Sequence, residues 1–169
     1  VLILIINVIA TVLLERYPLS VDLTEGGVYG FSQETLDILE EVDEPIRVYM
    51  LEAESTFTDP LGNTYQMAEI LKKYTQYNAN VTVEYIDLNA NPTWQQNFNT
   101  KYPSETLASY DLIVESEQRM QHFTINDYIS GSSAEDFASS IEQCVSGAML
   151  YVTDLNPMVA TIVSGHGEE

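Results

Sequence analysis

The sequence holds a single cysteine, Cys144, which excludes an intrachain disulfide framework and a four-cysteine metal site. Basic residues are also scarce: 6 lysines and arginines stand against 26 carboxylates, a formal charge of −20. Such a field repels phosphate backbones and argues against a nucleic-acid partner. It also discourages attachment through anionic lipid headgroups, leaving apolar burial as the route to any membrane. The histidines, His122 and His166, form no H-x-x-x-H or H-x-x-E-H spacing. There is no D-x-D-x-D-G calcium loop, no G-x-G-x-x-G, no Walker lysine and no G-x-S-x-G. These absences leave no cofactor, no metal and no catalytic residue to assign, and the chain reads as a non-enzyme.

What is present is a chain with 45% hydrophobic residues and 11 tyrosines, enough apolar matter for a packed core. It opens on an apolar run, Val1 to Leu14, with no charge before Glu15 and Arg16. As a helix this run covers roughly 21 Å, short of the ~30 Å hydrocarbon core, so it reads as a truncated transmembrane helix over 1–16. Its apolar residues lie all around the helix, which favours lipid over a one-sided core. Arg16 and Arg47 are the only basic residues within the fifty positions that follow the run, which places the body outside the cytoplasm. At the other end Met158 to Ser164 reads as a buried strand and Gly165-His166-Gly167-Glu168 as a turn opening a helix. Residues 156–169 are therefore expected to begin a second α/β domain.

Between these ends, residues 17–45 form a connector and a helix. Pro18, Gly26, Gly27 and Gly30 break regular structure; Ser32 is a good N-cap, with Phe31 and Leu36 at the spacing of a hydrophobic staple. Leu36, Leu39 and Val42 supply the apolar stripe. Residues 46–155 then run through strands and helices in turn. Ile46 to Leu51 is strand-like. Met67, Ile70, Leu71 and Tyr74 fall at i, i+3, i+4, i+7 of a helix, with Glu69 and Lys73 paired on the wet side. Val81 to Asp87 alternates as a half-buried strand, and Asn91-Pro92 opens a short helix carrying Trp94 and Phe98. Two strands, Tyr110 to Glu115 and Arg119 to Ile125, are joined at Ser116-Glu117-Gln118. A long helix follows from a Ser132/Glu135 capping box, burying Phe137, Ile141, Cys144 or Val145, and Ala148. The order β-α-β-α-β-β-α is that of a thioredoxin-like domain; a ferredoxin-like or doubly wound layer is the alternative.

A thioredoxin-like order invites a redox reading, which the sequence does not support. Disulfide exchange needs a thiolate at a helix N-terminus, and the first strand-to-helix loop, Glu52 to Asn63, has no cysteine. Cys144 lies mid-helix and reads as a small core residue. His122 reads as an ordinary surface or sheet residue, and Glu40-Glu41 with Asp43-Glu44 as a solvated acidic face. Gly165, His166, Gly167 and Glu168 read as a structural turn or as a partner or ligand contact, because glycines there let backbone N–H groups approach an anion. Trp94, Tyr102 and Tyr110 are candidates for binding a glycan or peptide, and equally for the core.

Several separated segments together resemble one family. They are the apolar helix with Asn7 and Arg16, Asp22-Leu23-Thr24, Tyr29 to Thr35, Leu36 and Leu39 before Glu44-Pro45, Val83 to Asp87, Tyr151-Val152-Thr153 and the terminal Gly165-His166-Gly167-Glu168. The ensemble is similar to the N-terminal region of the GldG family, auxiliary components of ABC transporters, some linked to bacterial gliding motility. The resemblance implies an N-terminal single-pass membrane helix, an extracytoplasmic α/β body, and an ABC permease and a separate ATPase as partners. It brings no catalytic residue. The expected function is a membrane-anchored accessory subunit that binds or scaffolds; the alternative is an extracytoplasmic ligand-binding domain tied to no transporter. Ser32 to Val42 and the Gly165 turn are the segments expected to meet a partner or a neighbouring domain.

Overall fold

The computed structural model describes residues 30–59, 63–129 and 134–154. The apolar run at 1–14, the Ser132 cap and the segment 156–169, with its Gly165-His166-Gly167-Glu168 turn, lie outside them. Among the described residues four strands form one mixed sheet, and five α-helices accompany it. None of these helices is long and apolar enough to cross a membrane.

The elements follow their local chemistry. Helix α1 (Gln33–Glu41) starts where Ser32 is extended and its Oγ accepts the Thr35 N–H at 3.2 Å, satisfying one of the first turn's free donors. Strand β1 (Ile46–Met50) and a 3₁₀ turn (Glu54–Phe57) lead to α2 (Asn63–Tyr77). Strand β2 (Val81–Tyr85) alternates in burial as the sequence predicts. Helix α3 (Pro92–Lys101) has its proline at the start, but the Asn91 side chain makes no cap; its Nδ2 donates back to the Asp87 carbonyl at 3.0 Å. Strands β3 (Leu112–Glu115) and β4 (Met120–Phe123) flank a tight turn closed by Ser116 N–H donating to the Arg119 carbonyl at 2.9 Å. Ile125 does not extend β4, contrary to the sequence reading. It begins a single helical turn, α4 (Ile125–Tyr128), because Thr124 and Asp127 form a reciprocal capping box. Helix α5 (Ala134–Thr153) completes the fold.

The strand order is β2-β1-β3-β4, with β1 and β2 parallel and β3 antiparallel to both neighbours. Because side chains alternate across a sheet, each face has its own set. Ile46, Val48 and Met50 are fully buried on the side of α2 and α5, as are Met67, Ile70, Leu71 and Tyr74 of α2 and Ile141, Val145, Ala148 and Val152 of α5. Tyr49, Leu51 and Ile113 turn to the other face and pack with Phe98 of α3; Trp94 and Tyr102 lean on the same cluster. The result is a helical layer on each side of the sheet. On the wet side of α2, Glu69 stands 4.0 Å from Lys72, one residue short of the spacing expected.

Helix α1 packs on α5 through a knot of hydroxyls in an otherwise apolar seam. Ser146 Oγ lies 2.9 Å from Thr35 Oγ1 and 2.7 Å from Tyr74 OH, which also donates to the Glu142 carbonyl at 3.1 Å. Burial pushes the Tyr74 phenol far above its ordinary pKa, so it stays a neutral donor. The Phe31 ring lies 4.4 Å from that of Tyr74 and 5.4 Å from Tyr77. Because Ser146 keeps Thr35 when Tyr74 loses its hydroxyl, Tyr74→Phe is expected to cost about 1 kcal/mol in urea unfolding. Leu71→Ala, which opens a cavity at a fully buried position, is expected to cost about 3 kcal/mol.

Candidate functional site

Where β1 hands over to β3, the sheet's connectivity switches sides. In open α/β sheets the ends of the parallel strands beside such a point are the usual place for a ligand or partner. Here the ladder is interrupted by a bulge. Leu51 N–H donates to the Asp111 carbonyl and Tyr110 N–H donates to the Leu51 carbonyl, both at 2.9 Å, so two residues of one strand oppose one of the other. Tyr110 sits at φ 68°, the left-handed region that glycine usually fills at this position of a bulge. Holding a tyrosine there costs on the order of 1 kcal/mol, and the surroundings hold it firmly. The Tyr110 carbonyl accepts the Tyr128 hydroxyl, and its ring meets Phe57 at 6.3 Å, edge to face. Phe57 in turn meets Tyr85, whose phenol is pushed up to about 12, mainly by burial and then by nearby Glu54 and Glu69.

On the opposite face the same bulge carries a half-buried cluster of charged side chains. His122, in β4, places Nδ1 2.8 Å from Glu105 Oε2 and Nε2 2.9 Å from Asp111 Oδ2. Asp111 is 1% exposed and also accepts the Ala108 N–H at 2.7 Å. A neutral imidazole can donate from only one nitrogen, so two carboxylate contacts are satisfied together only by the imidazolium. Burial pushes the His122 pKa down, but the hydrogen bonds to Glu105 and Asp111 outweigh it and the net shift is upward. The ring nitrogens point to opposite sides, so this is a clasp between two carboxylates rather than a cage around one ion. It ties the loop after α3, with Leu107 in the Phe98 cluster, to the edge of the sheet. Asp127 of α4 is the other carboxylate whose field reaches His122.

A second hub lies further along the same face. Glu115 accepts from Lys101 Nζ at 2.8 Å, Tyr102 OH at 2.9 Å and Tyr49 OH at 3.2 Å, with Arg47 Nη1 3.7 Å away. Burial raises its pKa, but the hydrogen bonds from Lys101 and Tyr102 prevail and hold the carboxyl below its usual value.

The residues singled out from sequence fare differently. The Gly165-His166-Gly167-Glu168 contact lies outside the described residues. Trp94 stacks on Phe98 at 5.3 Å and Tyr102 packs tilted against it at 4.9 Å, while Tyr110 lies with Phe57, so the three aromatics form no common binding face. His122 is a sheet residue, as read, but its ring is clasped rather than idle. Val145, not Cys144, is the fully buried member of that pair; Cys144 is half-buried, and burial pushes its thiol up. Glu105, Asp111 and Glu115 carried no motif.

The clasp gives a pH dependence whose sign is fixed by the raised folded pKa. Its contribution is fully present below the unfolded histidine value, about 6.5, and is lost as pH rises through the folded one. Unfolding midpoints in urea are therefore expected to fall between mildly acidic and mildly alkaline pH, and His122→Gln should flatten that slope. Removing the ring outright in His122→Ala leaves two carboxylates facing each other, one of them fully buried, and is expected to cost about 3 kcal/mol at pH 6.

No curated protein and no solved structure matches the chain. A family model described as a domain of unknown function, DUF7088, matches residues 25–145, which take in the bulge, the clasp and the Glu115 hub. The match spans well over half of the sequence, and the chain belongs to the DUF7088 family.

Proposed function

We propose that this chain is a non-catalytic binding or scaffolding module, the extracytoplasmic part of a membrane-anchored accessory subunit of an ABC-type transport system. The observation that carries the reading is what the ionisable groups withdrawn from water are doing. His122 is held by Glu105 and Asp111, and Glu115 by Lys101, Tyr102 and Tyr49. Each joins one part of the fold to another: both ring nitrogens of His122 and both carboxylate oxygens of Glu115 are engaged within the fold, which supports a structural role for these groups. The resemblance to GldG-type auxiliary proteins points the same way, and its permease and ATPase are the partners we propose. The membrane anchor of this reading is the apolar run over residues 1–16.

The fold we propose is thioredoxin-like. Supporting it are the βαβ unit followed by an antiparallel hairpin and a helix, and the order β2-β1-β3-β4 with β3 reversed. The place where such a fold would carry a redox cysteine, between β1 and α2, has none in its sequence.

Gentle solubilisation of the full-length protein from its membrane, affinity capture and mass spectrometry test the functional reading. A multi-span permease and an ATPase are expected among the retained proteins, in ratios that survive washing. Retention of neither would sink the accessory-subunit reading and bring forward an extracytoplasmic ligand-binding domain.

A further inference from the structure

Among the described residues strand β4 is the outermost strand on its side of the sheet, and its hydrogen bonds fix its alternation. Ser116 N–H bonds the Arg119 carbonyl, so 116 and 119 face each other as a bonded pair. The register then makes Val114 with Gln121 and Leu112 with Phe123 the next bonded pairs. The backbone N–H and C=O groups of Met120 and His122 consequently turn away from β3, along an edge that no other strand pairs with among the described residues. An open edge of this kind is a template for another strand.

Beside that edge, on the α5 side, runs a groove of about 370 Å³ lined by Gln121, Phe123, Asp127, Cys144, Gly147 and Tyr151, among others. Tyr151 is 43% exposed there. Gly147 is the informative residue. It lies inside α5, where glycine weakens a helix relative to alanine. A Cβ placed on it would meet nothing within 4 Å, so no contact within the described fold requires the glycine. What the missing side chain provides is a bare stretch of helix along the groove, which suits close approach by another backbone.

We infer that the β4 edge and this groove form a docking surface for an extended, basic segment of another protein, which adds to the sheet as a fifth strand. Its backbone pairs with Met120 and His122. The side chain it places opposite Gln121 points to the α5 face and enters the groove over Gly147, so the segment carries an apolar residue there. Charge sets the rest of its chemistry. The chain has a formal charge of −20, and exposed Asp127 lines the groove while exposed Glu117 sits in the turn before β4. A second copy of this chain would bring the same charge against itself, whereas lysines or arginines flanking the apolar residue are attracted. At the start of the strand Arg119 donates to the Tyr151 carbonyl at 3.1 Å and lies over its ring, holding that side of the groove in place.

The inference rests on the accessory-subunit reading only for the identity of the partner; the surface itself can be probed alone. The probes are short synthetic peptides alternating valine and threonine between terminal lysines. Matched peptides carry a central proline or terminal glutamates. With the solubilised full-length protein, the lysine peptides are expected to bind and to slow amide exchange at Met120 and His122. Gly147→Trp, whose Cβ meets nothing within 4 Å and whose ring is large enough to fill the groove, should leave the circular-dichroism helix signal unchanged and weaken binding about tenfold or more; Gly147→Ala, which keeps the groove open, should retain it. No binding, equal binding of the proline or glutamate peptides, protection mapped elsewhere, or indifference to Gly147→Trp would overturn the inference. The two proposals fail separately. A retained permease with no peptide binding at the β4 edge removes the docking surface and leaves the accessory role, while peptide binding without any retained permease does the reverse.

Discussion

Asp111 joins three parts of the chain at once. Its carbonyl accepts the Leu51 N–H and so ends the β1 ladder at the bulge, while its carboxylate accepts the Ala108 N–H and takes one nitrogen of His122. A carboxylate that is 1% exposed is tolerable only when its lone pairs are occupied, and preferably when a positive charge stands beside it. The consequence runs outward from that requirement. The imidazolium that meets Asp111 must come from β4, which fixes the edge strand against β3. Its other nitrogen needs Glu105, which folds the loop after α3 back over the sheet. Tyr110, immediately before, is left in the left-handed region because the bulge that positions Asp111 leaves it nowhere else to go. One buried negative charge therefore sets a strand position, a loop and a strained residue.

The same economy explains where the few positive charges went. Arg47 and Lys101 converge on Glu115, Arg119 is folded against Tyr151, and Lys72 stands near Glu69. Each of these four basic side chains lies against an internal acceptor or a neighbouring carboxylate. The carboxylates of α1 and the segment after it, Glu40, Glu41, Asp43 and Glu44, gain no such counterweight from them. A surface left so negative is self-repelling and attracts positive charge.

Much of the fold was legible because its signals are local. Met67, Ile70, Leu71 and Tyr74 repeat with the helical period and all are buried; Ser32 caps α1 through its own side chain; Val81 to Tyr85 alternates as a half-buried strand. Two misreadings were also local. The Thr124 and Asp127 capping box was present in the sequence, but the aromatic and β-branched run Phe123 to Ile125 reads as strand until the box is weighed. Asn91 has the residue type of a cap, yet its amide finds the Asp87 carbonyl first. The candidate site was less accessible for a different reason. His122 is 17 residues from Glu105 and 11 from Asp111, with no spacing that a helix or strand would convert into a motif. The bulge was hidden because Tyr110 stands where a glycine would have marked the position.

A four-residue edge strand has little holding it by backbone pairing alone, and the short length is itself a defence against unwanted pairing. Strand β4 is nevertheless fixed at three places. At its start the Ser116 hydroxyl donates to the Val152 carbonyl at 2.8 Å and Arg119 reaches Tyr151, so the turn is fastened to the end of α5. In its middle His122 is clasped from the opposite face. At its end Asp127 accepts both the Thr124 N–H and its hydroxyl, at 2.6 and 2.8 Å, which stops the chain from continuing as strand. All three restraints act through side chains or through the ends, and none uses the outward N–H and C=O groups of Met120 and His122. An edge strand fixed by restraints that leave its outward backbone groups out of account has already met much of the ordering entropy that pairing with a further strand would otherwise have to overcome.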